Sequence, residues 1–130
     1  MAKKQIATFL GPNKGLSIVG DHFYSYSGAI EDAGSGSAAT TTTKFTTGKY
    51  LCVGKINWAT NSQGADTIYF EVFMNGTQVI QLQWDGSPAL ESNPPFNLVI
   101  PPNTVVEVKW GMASGTTKEM CTLMTGQVYR

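Results

Sequence analysis

His22 is the sole histidine of this 130-residue chain, and it stands beside Asp21, the kind of carboxylate that can orient an imidazole for general-base work. Neighbours on an extended backbone project to opposite faces, so the two side chains do not meet without a bulge, and His22 reads as structural. A nucleophile activated by that histidine would be a serine or a cysteine, and nothing in the spacing ties Cys52 to it. Cys52 and Cys121 both fall in alternating segments, where cysteine commonly behaves as a small buried hydrophobe, and free thiols are expected. Without histidines beside them, two cysteines do not complete a zinc site. Glu31-Asp32 is the only adjacent pair of carboxylates and opens a Gly/Ser loop, which suits solvation better than paired acid and base work. The other acids are scattered, whereas calcium asks for a cluster of oxygens. Gly34 and Gly36 flank Ser35 without the strand-to-helix context of a phosphate cradle. Trp58, Trp84 and Trp110 offer flat faces for stacking on a sugar, but each lies on an inward register near a strand end, so core packing is expected. Of the three, Trp84 is the best placed for a ligand, next to a loop that begins at Asp85 and ends near Asn93. The expectation is a protein that is not an enzyme and uses no metal or other cofactor.

Nine basic and nine acidic residues give a net charge of zero, and only 14% of residues are charged. A nucleic-acid partner calls for a basic surplus that releases condensed counterions, so none is expected. A small free monomer normally keeps a more charged surface, and one this uncharged suits contact with another subunit. No apolar run approaches the roughly 20 residues needed to span a bilayer, so no membrane partner is expected. The opening MAKKQIATFLGP has a basic start but too short an apolar stretch for a secretory leader.

The elements that would hold these residues are strands. In DTIYFEVFMNGTQVIQLQW two alternating runs flank Asn75-Gly76, a pair that accepts positive φ at both centres of a type I′ turn, so a hairpin is predicted. Ile68, Phe70, Val72 and Met74 form its core face, with Tyr69, Glu71 and Phe73 on the other. A loop is predicted over residues 32–37 and a threonine-rich strand over 40–46. A long strand over 49–59 turns Tyr50, Cys52, Gly54, Ile56 and Trp58 inward. Proline pairs bracket a short apolar strand at 96–100, another strand follows at 104–113, and a last one over 117–130 is expected to kink at Gly126. No helix-period segment of useful length occurs. About eight strands at spacings of roughly 8 to 12 residues indicate an all-β sandwich or barrel. Residues 1–15 carry Lys3, Lys4 and Lys14 with no acid among them, and read either as a frayed terminus or as an N-terminal arm lying on a neighbouring subunit; residues 16–130 are the domain.

TGKYLCVGKINWA, the Asn-Gly hairpin and the closing TLMTGQVYR together resemble the strand order of jelly rolls related to tumour necrosis factor and the globular heads of complement subcomponents. SNPPFNLVIPPNTVVEV, with GDHFYSYSGAI, is similar to segments of small virion structural proteins of tailed bacteriophages, and this likeness spans about residues 16–130. It implies a single jelly-roll β-sandwich, commonly a homotrimer, that sits on the outside of the phage head as a decoration or cement protein against the major capsid protein. It also implies a protein made in the host cytoplasm and carried on the virion. On that expectation Tyr69 and Phe73, with Tyr24 and Tyr26 behind them, are candidate subunit contacts, because tyrosine brings area and a hydrogen bond at small entropic cost. Lys3, Lys4 and Lys14 are the candidate capsid-docking residues. The alternative is a receptor- or carbohydrate-binding module of a fibre or tail, using Trp84, Asp85 and Asn93.

Overall fold

The computed structural model describes residues 8–9, 16–32, 36–60, 67–84, 95–113 and 118–130. Among them are eleven strands and no helix: β1 (Thr8–Phe9), β2 (Ser17–Val19), β3 (His22–Tyr26), β4 (Ile30–Asp32), β5 (Thr40–Thr46), β6 (Leu51–Thr60), β7 (Ile68–Met74), β8 (Thr77–Trp84), β9 (Phe96–Ile100), β10 (Val105–Met112) and β11 (Lys118–Tyr129). They form two antiparallel sheets, one ordered β1-β5-β10-β7-β8 and the other β2-β3-β11-β6-β9, with β4 also paired to β11.

The expected hairpin is β7 and β8. Asn75 and Gly76 have φ of 50° and 79°, the positive pair that a type I′ turn requires. Met74 pairs with Thr77, but a bulge then sets Phe73 against Gln78 and Val72 against Ile80, leaving Val79 as the extra residue. The turn is tied to the start of β10: the Asn75 N–H donates to the Val105 carbonyl at 2.8 Å, and the Val105 N–H donates to Asn75 Oδ1 at 2.9 Å.

The core lies between the sheets. Ile18, Phe23, Cys52, Ile56, Ile100 and Met124 enter it from one side. Phe45, Phe70, Val72, Val108, Trp110 and Met112 meet them from the other. Each fully buried side chain of this size removes enough apolar surface from water to contribute about 1.5–3 kcal/mol. Trp58 is half-buried and stacks on Phe70 with ring centroids 5.7 Å apart, and Trp110 is fully buried. A chain of hydroxyls crosses the core as well, with Thr122 Oγ1 3.2 Å from that of Thr43 and 3.3 Å from that of Thr42.

Three expectations are corrected. Asp32, the expected start of a loop, instead ends the strand Ile30–Asp32 and is buried. Its Oδ1 accepts from Thr40 Oγ1 at 2.6 Å and its Oδ2 from the Met112 N–H at 3.0 Å, so this carboxylate fastens β4 to the opposite sheet rather than meeting solvent. Secondly, at the expected kink β11 runs past Gly126 without a register shift against β3 or β6. Gly126 pairs with Gly54 on β6, and a Cβ on either would strike backbone of the adjacent strand and the Phe23 ring, which comes within 2.7 Å of one ideal Cβ position and 2.8 Å of the other. The two glycines make the bed on which Phe23 lies. Thirdly, Cys121 is exposed rather than buried, because it occupies the outward register of β11, between the buried Met120 and Thr122.

Candidate interaction surface

Strand alternation decides what each sheet shows to the outside. Phe23 and Ser25 point into the core, so Tyr24 and Tyr26 stand on the outer face of their sheet, stacked with centroids 6.1 Å apart and planes at 10°. On β11, Met120, Thr122, Met124 and Val128 are buried, which turns Cys121, Leu123, Thr125, Gln127 and Tyr129 to that same outer face. Cross-strand register then assembles rows. Tyr26, Leu123 and Asn57 stand in one, and Tyr24, Thr125, Lys55 and Asn97 in the next. His22, Gln127, Val53 and Val99 make the third, and Tyr129 stands beside Leu51 beyond it.

Six large hydrophobic side chains are exposed among the described residues: Val19, Tyr26, Val79, Val99, Leu123 and Tyr129, at 42% to 59%. All except Val79 lie on this one outer face. At one end of it an open groove of about 350 Å³ runs between Tyr26, Trp58, Cys121 and Leu123. Isolated exposed hydrophobics are ordinary; here five of the six gather on one face, set among Asn57, Lys55, Thr125, Asn97, His22 and Gln127.

The opposite outer face is built differently. Glu107 accepts from Thr41 Oγ1 at 2.9 Å and pairs with Lys44 at 3.6 Å and Lys109 at 4.0 Å. The Lys109 ammonium in turn lies 5.5 Å from the centroid of Phe73. Tyr69 and Phe73 belong to this charged face, because Ile68, Phe70 and Val72 between them point inward. The four aromatic residues expected to act together are therefore split between opposite sides of the sandwich, Tyr24 and Tyr26 on the apolar side and Tyr69 and Phe73 on the charged one. Val19, Val99, Leu123 and Tyr129 were not singled out in the sequence. The available signal was an apolar residue on the outward register of an alternating strand, as with Val99 between the buried Leu98 and Ile100.

Trp84 is the last residue of β8, across from Ile68, while Asp85 and Asn93 lie outside the described residues. Lys3, Lys4 and Lys14 lie outside them too; from the same segment Thr8–Phe9 forms β1 and pairs with Phe45 and Thr46 of its own chain. Asp21 pairs with Arg130 at 3.6 Å, and His22 is exposed beside it. Both cysteines are free, and burial pushes the Cys52 thiol up to about 11 from 9.0, so it stays protonated and unreactive at neutral pH. Among the described residues no three of His, Cys, Asp and Glu are grouped so as to hold a metal ion. No known protein family, curated protein or solved structure matches the chain.

Proposed function

We propose that the chain is a non-enzymatic virion structural protein, a head decoration or cement protein that docks as a homotrimer on the capsid exterior of a tailed bacteriophage. The fold in this reading is a single jelly roll. Its support is the strand order, β5-β10-β7-β8 facing β3-β11-β6-β9, in which the chain changes sheet at every step from β5 to β11 except the β7–β8 hairpin. The observation that carries the reading is the apolar outer face. Five strands about 4.8 Å apart, between 3 and 12 residues long, give it roughly 550 Å² in projection, about two-thirds of the roughly 800 Å² each partner contributes to a stable interface. A shell under pressure from packaged DNA fails where capsomers part, and a module that covers apolar area across such junctions holds them without any chemistry.

The test is to heat particles with and without this protein and to measure released DNA. Decorated particles should hold their DNA to a higher temperature; equal release would reject the cement role. A second reading, a receptor- or carbohydrate-binding module, draws on the groove beside Tyr26 and Trp58. Glycan binding that is lost with Trp58→Ala and not with Phe73→Ser would favour it.

A further inference from the structure

β8 is an edge of its sheet and, among the described residues, pairs only with β7. An edge strand holds a row of backbone N–H and C=O groups open to another strand, and proteins guard such rows by keeping them short or by adding charge or proline. The other edges follow that rule. β1, β2 and β4 have two or three residues, and β9 stands between Pro94-Pro95 and Pro101-Pro102. β8 has eight residues, TQVIQLQW, without a charge or a proline among them. Its bulge at Val79 lies close to the turn, and beyond it Ile80 to Trp84 pair in unbroken register with Val72 to Ile68. That straight stretch is about 16 Å long. Gln81 and Gln83 are exposed on its outer side, while Ile80 and Leu82 take the inward register and are only half-buried.

We propose that β8 takes up an extended segment of a different polypeptide as a sixth strand of its five-stranded sheet. The segment has about five residues, apolar at alternate positions, with no charge and no proline. A row of donors and acceptors at strand spacing selects the backbone of another strand; those bonds give affinity, and the alternate side chains give specificity. On the inner side the segment's apolar side chains cover the flanks of Ile80 and Leu82 and widen the core. On the outer side its polar side chains meet the Gln81 and Gln83 amides. An uncharged edge matches an uncharged segment, because a charge brought beside Ile80 and Leu82 gives up hydration without gaining a partner. The choice of a different polypeptide over a second copy rests on the trimer proposed above. β8 pairs with its own kind only about a twofold axis, which a trimer lacks, and the other edges of a neighbouring copy are too short or too guarded by proline to match it.

Nuclear magnetic resonance titration of the full chain tests this, with a terminally blocked peptide that alternates valine and threonine over about seven residues as the probe. Binding should saturate, shift the amides of residues 80–84 and slow their hydrogen exchange. N-methylation of every second peptide residue removes the donors along one side of the strand. Of the two methylation patterns, one should weaken binding by about tenfold or more and the other should leave it nearly unchanged, because only one side faces β8. Gln81→Pro should weaken binding as well, since proline is tolerated on edge strands but blocks a further ladder. If circular dichroism shows that this variant does not fold, the two methylated peptides still decide the matter on the wild-type chain. No saturable binding, equal effects of the two patterns, or shifts confined to the groove beside Tyr26 and Trp58 overturn the proposal. So does a wild-type chain that light scattering shows to dimerise and that Gln81→Pro disperses, which gives the edge to a second copy. A chain that binds the peptide in this way but never trimerises keeps the docking edge and loses the trimer, and particle heating judges the cement role on its own.

Discussion

Asp32 is the residue on which sequence reasoning and packing part most clearly. As a neighbour of Glu31 at the head of a Gly/Ser stretch it looks solvated, yet its two oxygens accept from Thr40 and from the Met112 backbone. Those partners belong to the opposite sheet, so the carboxylate acts as a cross-sheet clasp. Asp32→Ala leaves the buried Met112 N–H without this acceptor, and should lower stability by about 1–3 kcal/mol in urea unfolding. Cys52 provides a second check at this scale. Its folded thiol titrates at about 11 against 9.0 when free, so the unfolded chain loses its proton first as pH rises. Stability from this group is intact below pH 9.0 and declines as pH climbs toward about 11, measurable as a falling denaturation midpoint that Cys52→Ala abolishes. At neutral pH an alkylating reagent should label Cys121 in the folded protein and reach Cys52 only after unfolding.

At the scale of elements, the β6–β11 pair depends on two glycines that bear no side chain because a neighbour fills the space. Gly54→Ala or Gly126→Ala drives a Cβ into facing backbone and into Phe23, and the strands must separate to admit it. Each substitution should cost about 1–3 kcal/mol by denaturant titration, the range expected for overpacking. Gly76→Ala is a different case: the added methyl meets nothing within 4 Å, and only the φ of +79° opposes it, so a loss of about 1 kcal/mol is expected. The strands themselves were legible from alternation: the threonine-rich strand matches its expected bounds, and the long strand, the hairpin and the last two strands were each placed within about two residues. What alternation could not give was the role of Gly126. A glycine inside a strand signals either a bend or a close approach, and only the partner strand with its overlying ring distinguishes the two.

For the whole molecule, the two sheets show dissimilar outer faces: one carries the Glu107 ion pairs, the other five of the six large exposed hydrophobics among the described residues. No disulfide contributes to its cohesion. Cys52 is opposite Val128, seven residues along β11 from Cys121, which separates the thiols by roughly 23 Å, far beyond the reach of a disulfide. Thermal midpoints with and without reductant should therefore coincide, and a drop under reductant would mean that the strands are not registered in this way.

By itself the sequence determined that the chain is all β, where most strands start and stop, and which face of the long strand and of the first hairpin strand turns inward. These follow from local physics, since a period of two, an Asn-Gly turn and paired prolines act over a few residues. Which outward residues share a face was decided only by tertiary structure. Tyr26, Leu123, Val99 and Val19 come from strands far apart in the chain, and sheet order gathers them while sending Tyr69 and Phe73 to the other side. Alternation tells inside from outside within one strand, but it carries no information about which strand lies next to it.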